Sequence, residues 1–141
     1  MILAIRISGD VDLTSKMKET LFRMRIRRKY SAVLLKPSPE VLKLLKNVRS
    51  FVAYGDINKE TLLLLLEKRA IPSKKGKKID AKKILEQLEK RDFKDIEEIK
   101  PFFRLHPPRG GIDSKNHFGT SKKAVLGDNK DKINDLVRRM L

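Results

Sequence analysis

The chain contains no cysteine, few acidic residues and no long apolar run, and each absence excludes a class of protein. Without cysteine, disulfide bonds and thiolate metal sites are excluded. Apolar runs such as Leu62–Leu66 are far too short to span a bilayer, because a membrane helix needs roughly 20 apolar residues. The first six residues lack the leading charges and the long apolar run of a signal peptide. We therefore expect a soluble, cytoplasmic protein.

The shortage of acidic residues leaves a formal net charge of +16 on 141 residues. The excess is spread over the chain, with +7 in residues 1–57, +4 in residues 58–100 and +5 in residues 101–141. A folded body with this charge repels itself unless a polyanion neutralises it. Because no single basic tail explains the excess, nucleic acid is the first candidate partner and an anionic membrane is the second.

The N-terminal part predicts a β-α-β-α-β unit. Leu3, Ile5 and Ile7 alternate with smaller or polar residues, which is typical of a strand with one apolar face. Serine followed by proline is a typical helix start, because serine caps the first turn and proline fits the first helical position. The expected elements are strand Ile2–Ser8, a helix from about Thr14, strand Ala32–Lys36, a helix capped by Ser38 with Val41, Leu44, Leu45 and Val48 at helical spacing, and strand Phe51–Tyr54 closed by Gly55-Asp56.

The remaining residues, 58–141, predict a helical extension with a long loop, of a length that is usually functional or disordered. The expected elements are a helix from Asn58 to about Arg69, a loop from Ala70 to Lys78, a helix capped by Asp80 with Ala81, Ile84, Leu85 and Leu88 inward, an extended segment Ile99–Leu105, a loop over residues 107–128, and a terminal helix with Ile133, Leu136, Val137 and Met140 on one side. Taken together, these elements predict an α+β fold, with a core domain at residues 1–57 and an extension at residues 58–141.

The segment Arg23–Lys29 carries five cations and no acid in seven residues. It lies at the end of the first predicted helix, where one or two cations would complement the helix dipole. Five cations exceed that need, so contact with a polyanion is favoured over a solvated surface. The candidate contacts are Arg25, Arg27, Arg28 and Lys29.

A second segment, Arg104–Gly111, combines cations with stiff and then pliant backbone. Its two prolines restrict the chain, whereas its two glycines let the backbone approach another surface closely. Such an arm suits a phosphate backbone better than a small-molecule pocket. The candidate contacts are Arg104, His106, Arg109, Gly110 and Gly111, followed downstream by Lys115, Lys122 and Lys123.

The remaining motifs favour ordinary structural explanations. His106 has only His117 as a second histidine and no cysteine, so packing or a hydrogen bond to RNA is favoured over a metal site. Phe118 could offer a ring to a base or anchor a loop, and the anchor is slightly preferred. The Lys74–Lys78 run leaves solvation and polyanion contact equally open. No nucleotide-binding glycine loop or nucleophile elbow is present, so we predict no catalytic residue, cofactor or metal.

Three segments resemble the signatures of one ribosomal protein family. They are Phe51–Ile57 with the helix that ends at Arg69, Phe103–Gly111, and Ile133–Leu141. The family is large-subunit ribosomal protein L-thirty in its archaeal form, called L-seven in eukaryotes. The resemblance covers nearly the whole chain.

The resemblance implies a β-α-β-α-β core with a three-stranded antiparallel sheet and two helices on one face, plus a helical and extended-arm elaboration. It implies a structural, non-catalytic protein of the cytoplasmic large ribosomal subunit that binds 23S-type rRNA near the 5S rRNA and contacts neighbouring ribosomal proteins. RNA contact carries over to Arg25, Arg27, Arg28 and the Arg104–Arg109 arm. No membrane, cofactor or small-molecule substrate is expected. The alternative is a free-standing RNA-binding regulator or RNA-processing enzyme, which needs a catalytic site that we do not find.

Overall fold

The computed structural model describes residues 1–7, 14–74, 80–91, 93–96, 99–117, 119 and 124–141, with residues 94 and 113–117 described by their backbone alone. The helices are α1 (Ser15–Arg23), α2 (Pro39–Asn47), α3 (Lys59–Arg69), α4 (Ala81–Lys90) and α5 (Ile133–Met140). The strands are β1 (Ile2–Arg6), β2 (Ser31–Leu35), β3 (Val52–Asp56), β4 (Phe103–Arg104), β5 (Asp113–His117) and β6 (Ala124–Asp128), and 3₁₀ turns lie at Phe93–Asp95 and Lys130–Lys132. No described helix is long and apolar enough to cross a membrane.

The six strands form one mixed sheet in the order β4-β2-β1-β3-β6-β5. Strand β1 pairs antiparallel with β2 and with β3, so that Ile5 lies opposite Ala32 on one side and Ala53 on the other. This pairing confirms the predicted three-stranded antiparallel core. Strand β4 adds antiparallel to β2, β6 adds parallel to β3, and β5 adds parallel to β6. The C-terminal half therefore extends the sheet at both edges, which the sequence pattern does not predict.

Strand β1 is buried on both faces because helices cover the sheet on both sides. Leu3 and Ile5 pack in one apolar cluster with α3, α4 and α5. Ile2 and Ala4 pack in a second cluster with α1 and α2, which confirms that the two helices of the core lie on one face. Burial of each large apolar side chain contributes about 1.5–3 kcal/mol, so these two layers supply most of the stabilisation.

Four helices begin at a side chain that caps the first turn. Thr14, Ser38, Asn58 and Asp80 each accept a hydrogen bond from a backbone N–H at the start of α1, α2, α3 and α4. Such caps satisfy donors that a helix leaves open and contribute about 1 kcal/mol each. The predicted helix starts are therefore confirmed. Within α2, however, Leu44 is exposed although its spacing places it with the apolar stripe.

The predicted loop over residues 107–128 is wrong, because β5 and β6 lie within it. Ala124, Val125 and Leu126 are buried in β6, which pairs with β3. An apolar run of this length is too short to show the periodicity of a strand or of a helix, and its partner strand lies far earlier in the chain. Strand β5 is a polar strand at the sheet edge, and its residue types have a low intrinsic preference for strands.

Two of the family-like segments meet where β3 ends and α5 begins. Asn134 Oδ1 accepts a hydrogen bond from the Asn58 backbone N–H (2.9 Å), and its Nδ2 donates to the Asp56 carbonyl (3.2 Å). Gly55 lies inside β3 rather than beyond it, and a Cβ there would clash with the carbonyl oxygen of Lys130. The glycine and the amide side chain together let α5 dock closely on the core.

The division into a core domain and an extension at residue 57 stays a prediction about the organisation of the chain. Strands from both parts share one sheet. The extended segment predicted at Ile99–Leu105 contains β4 and an isolated bridge from Ile99 to Pro72. Some predicted features lie wholly or partly outside the described residues, among them the end of the first strand at Ser8, the lysine run from residue 75 onward, and the ring of Phe118.

Candidate RNA interface

The basic turn, Arg25–Tyr30, connects α1 to β2. The backbone N–H of Arg25 donates to the Phe22 carbonyl (3.1 Å), and that of Ile26 donates to the Leu21 carbonyl (3.2 Å). These two bonds end α1 in the Schellman pattern, in which the residue after the C-cap is left-handed and is usually glycine. Arg25 takes that position with φ of 65°, a conformation that costs an L-residue about 1–2 kcal/mol. The fold therefore holds a cation where glycine would be more stable.

Buried Arg6 supports the basic turn from beneath. It is 3% exposed, and its guanidinium donates to the carbonyls of Ile26 (3.3 Å) and Arg27 (2.5 Å). Its own carbonyl accepts a hydrogen bond from the backbone N–H of Tyr30 (2.6 Å). Charge-assisted bonds of this kind are roughly twice as strong as neutral ones, so they fix the backbone of the turn. Sequence reasoning missed this role, and the one available signal was a cation within an otherwise apolar strand.

Strand β4 brings the second predicted cationic segment beside the basic turn. Phe103 is fully buried, and its ring stacks on Phe93 at a centroid distance of 5.1 Å. Because successive side chains of a strand point to opposite faces, Arg104 lies on the other face of the sheet. Its partner across the ladder is Ser31 of β2, which follows directly after the basic turn.

A cleft of about 320 Å³ lies between the basic turn and β4. Four arginines from two distant parts of the chain line it. Among the described residues, no carboxylate forms a salt bridge within 4.0 Å of any of the four. Their mutual repulsion therefore favours a bound anion. The lining residues are Arg25, Arg27, Arg28, Ser31, Pro101, Phe102 and Arg104.

Aromatic rings position three cations of this region. Arg27 Cζ lies 3.7 Å from the ring centroid of Phe22, a side chain that is 55% exposed. Arg104 Cζ lies 5.6 Å from the ring centroid of Phe102. Lys29 is held in the same way, with its Nζ 5.2 Å from the ring of the tyrosine that ends the basic turn. Each cation–π contact contributes about 0.5–1 kcal/mol at an exposed site and restricts the cation before a ligand arrives.

The arm beyond Arg104 follows the C-terminal end of α5. The backbone N–H of His106 donates to the Met140 carbonyl (2.8 Å), and that of Arg109 donates to the Arg139 carbonyl (3.1 Å). These bonds satisfy carbonyls that the end of a helix leaves open. The side chains of His106 and Arg109 are exposed. The arm is thus docked by its backbone while two of its predicted contact residues face solvent.

The predicted contact residues farther along are only partly described. Gly110 and Gly111 have φ of 81° and 75°, and a Cβ at either would meet nothing within 4 Å. Their left-handed conformations suit glycine, and close approach by a partner stays a prediction. Lys115 lies in β5, for which the backbone alone is described, and Lys122 and Lys123 lie outside the described residues.

Burial raises the pKa of Tyr54 above its ordinary value, the Asp128 carboxylate adds to the rise, and Arg49 opposes it. Tyr54 lies in β3 and does not line the cleft. The chemistry that the cleft offers is therefore fixed positive charge, one hydroxyl and an aromatic ring, a combination suited to binding a phosphate-bearing molecule.

No protein-family model matches the chain, but curated relatives do. The chain is 36% identical to the large ribosomal subunit protein uL30 of Archaeoglobus fulgidus, with 99% of each chain covered. It is 33% identical to that of Desulfurococcus amylolyticus, with 97% of this chain and 96% of the relative covered. It is 30% identical to that of Methanococcus maripaludis, with 97% of each covered. These identities over nearly the full length confirm the resemblance to L-thirty proteins, and the chain belongs to the uL30 family of large ribosomal subunit proteins.

Proposed function

We propose that this chain is a structural, non-catalytic component of the large ribosomal subunit in the cytoplasm, and that it binds 23S-type rRNA. The observation that carries the proposal is the convergence of Arg25, Arg27, Arg28 and Arg104 on one cleft. Two cationic segments that the sequence marks separately become one surface in the fold. Fixed cations without carboxylate partners neutralise phosphates, which supplies affinity with little reading of base sequence.

The interface extends from the cleft along the arm. Lys29 continues the basic turn, and the exposed side chains of His106 and Arg109 continue the surface toward Gly110 and Gly111. Proximity to the 5S rRNA, contacts with neighbouring ribosomal proteins, and contributions from Lys115, Lys122 and Lys123 are further parts of the proposal. They rest on the resemblance and on the sequence pattern.

Co-sedimentation with large ribosomal subunits in high salt tests the role of the whole protein. A structural component stays with the subunit, because many buried contacts hold it there. A free-standing RNA-binding regulator or RNA-processing enzyme is released as salt screens its phosphate contacts. Release of the wild-type chain at moderate salt would contradict the proposal.

Substitution of Arg25, Arg27 and Arg28 together by alanine tests the interface. The logarithm of affinity for large-subunit rRNA falls with the logarithm of salt concentration by roughly 0.7–0.9 per phosphate contacted. We expect the triple variant to flatten this slope by about 2 and to bind at least about 100-fold more weakly in low salt. The measurement is a filter-binding titration at several salt concentrations.

The matched control removes three cations from elsewhere. Lys82, Lys83 and Lys90 are exposed on α4, on the opposite face of the sheet from α1. Their replacement by alanine lowers the net charge by the same amount, so it reports the effect of total charge alone. Equal losses in the two triple variants would remove the basic turn from the interface.

A further inference from the structure

We propose that the cleft between the basic turn and β4 receives one unpaired nucleotide of the bound RNA, with its base against Phe102 and its phosphate among the arginines. The inference rests on the proposed function and deepens it, because it names the kind of RNA feature that the site recognises. A cationic surface alone binds any RNA helix through its phosphates. A site for an extruded base instead selects a bulge, a loop or a strand end.

The first support is the shape of the site. A cleft of about 320 Å³ lies at the small end of the range of ligand pockets, roughly 300–1,000 Å³. The cations therefore surround a concavity that suits one small group. The phosphates of a duplex lie on a convex surface and can reach only the rim of such a concavity. A nucleotide that projects from the RNA can enter it.

The second support is the chemistry of the lining. Phe102 and Arg104 line the same cleft, with Arg104 Cζ 5.6 Å from the ring centroid. Aromatic rings and guanidinium groups are the two kinds of side-chain surface on which unpaired bases stack. A site for phosphate alone needs no ring, because phosphate binds through cations and hydrogen-bond donors.

The third support is a serine hydroxyl in the same cleft. Ser31 lines the cleft opposite Arg104 of β4, and little of the residue is exposed outside it. The edge of a nucleobase carries donors and acceptors that a hydroxyl can pair with, because a hydroxyl serves in either role.

A neighbouring cleft of about 450 Å³ is less suitable. It shares Arg25 and Pro101 with the first cleft. Its lining also includes the carboxylate of Glu40, the aliphatic side chains of Val33 and Val41, and Phe93. A carboxylate repels phosphate, and the buried ring of Phe93 already stacks on Phe103. The smaller cleft is therefore the one assigned to the nucleotide.

The direct experiment is an NMR titration of the wild-type chain with AMP, GMP, CMP and UMP, and separately with inorganic phosphate. We expect each nucleotide to shift the ring signals of Phe102 and the amide signal of Ser31, together with arginine side-chain signals. Inorganic phosphate at the same concentration should shift the arginine signals alone. Identical patterns for phosphate and for the nucleotides, with Phe102 unmoved, would overturn the inference.

The second experiment compares a duplex RNA carrying a single bulged 2-aminopurine with the same duplex fully paired. Wild-type protein should prefer the bulged RNA by between about 5-fold and 150-fold, the range found when base-stacking aromatics are removed. Binding should also change the fluorescence of the bulged 2-aminopurine, because the base leaves one environment and stacks in another. Phe102→Leu should abolish the preference while leaving the salt slope unchanged, since no charge is altered.

Phe51→Leu is the matched control, because Phe51 and Phe102 are both partly buried and both pack against the α1 and α2 cluster. Phe51 does not line the cleft, so its variant should keep the preference for the bulged RNA. If wild-type protein binds both duplexes equally, with a salt slope that depends on the arginines, the nucleotide inference fails and the proposed function stands. If it binds neither duplex nor large-subunit rRNA, both fail together.

Discussion

The two edges of the three-stranded core receive very different additions. The β2 edge carries a two-residue strand, a turn whose first and last residues are left-handed, and four arginines that line a cleft. At the β3 edge, the chain adds β6, whose first residues are buried, and α5, which docks through Asn134. Within the described part of the chain, the four arginines at one edge form no ion pair with a carboxylate, whereas Asn134 at the other edge bonds within the protein.

This difference separates binding from folding. Charges that repel one another without carboxylate partners contribute little to stability, and a polyanion supplies the missing charge. Buried side chains and satisfied amides contribute to stability and offer little to a partner. Substitutions at the β2 edge should therefore change RNA affinity with little effect on melting. Substitutions at the β3 edge should do the reverse.

The largest expected effect on stability belongs to Gly55→Ala at the β3 edge. A Cβ at this position clashes with the backbone carbonyl of Lys130, and it would also lie 3.0 Å from Ile133 Cβ. A backbone atom in a docked turn cannot move aside cheaply, so we expect a loss of about 3 kcal/mol, at the upper end of overpacking costs. For a chain of this size that lowers the melting temperature by roughly 6–12 °C.

Gly110→Ala is the control for Gly55→Ala, measured by thermal melting and by rRNA affinity. A Cβ at Gly110 meets nothing within 4 Å, although its φ of 81° is unfavourable for alanine. Its cost should therefore stay near 1 kcal/mol. RNA affinity per folded molecule of Gly55→Ala should equal that of the wild type. A drop in that affinity would break the separation of the two edges.

Arg25→Gly should move stability and affinity in opposite directions. Glycine takes a φ of 65° freely, so relief of the left-handed strain should outweigh the entropy that glycine adds to the unfolded chain. We expect a gain of about 0.5–1 kcal/mol in the free energy of unfolding. Loss of one charged contact should weaken rRNA binding about ten-fold.

Arg25→Ala is the matched variant for Arg25→Gly. It removes the same cation without relieving the backbone, so it should lose the same affinity and gain no stability. Denaturant unfolding and rRNA binding, measured on both variants, give the four numbers needed. If Arg25→Gly is less stable than Arg25→Ala, the conformational cost assigned to this position is wrong.

Local pattern was sufficient to predict the elements whose stability is local. The caps at Ser38 and Asn58, strand β1 and the apolar stripe of α5 each occupy a few neighbouring residues, and all are confirmed. The alternation in β1 predicts one apolar face, however, and the strand is buried on both. Strand β6 was missed because its stability comes from pairing with a strand far earlier in the chain. Leu44 shows the opposite error, because its spacing predicts burial and the side chain is exposed. Spacing alone does not show which residues of an apolar stripe contact the sheet and which extend beyond its edge.

The candidate site was predicted as two separate cationic segments, and the structure adds how they meet. Charge density marked the basic turn and the arm, but nothing in the sequence relates Arg104 to Ser31 across a ladder. Nor does composition distinguish Phe102 beside a cleft from Phe103 in the core. A cation within an otherwise apolar strand is visible in the sequence, but only the fold shows that the Arg6 guanidinium bonds to the carbonyls of the basic turn.

Arg109→Ala tests the arm, which runs from the RNA-binding surface at the β2 edge to the C-terminal end of α5. The exposed side chain can leave without disturbing the backbone bond to Arg139, so stability should change by less than about 0.5 kcal/mol. Affinity for rRNA should fall about five-fold. Gly110→Val should reduce binding further and should also lower the melting temperature, because valine resists a φ of 81°.

The smallest expected effect belongs to Phe22→Leu on α1. The ring is 55% exposed, so its loss should lower the melting temperature by no more than roughly 1–4 °C. Its contact with Arg27 is worth about 0.5–1 kcal/mol, and its loss should weaken rRNA binding about two- to five-fold without altering the salt slope, because no cation is removed. The double variant Phe22→Leu with Arg27→Ala distinguishes two roles for the ring, when its affinity for rRNA is measured by isothermal titration and compared with those of the single variants. If the ring acts by holding Arg27, it adds nothing further once Arg27 is gone. If the two losses add in full, Phe22 contacts the RNA directly, and the positioning role is wrong.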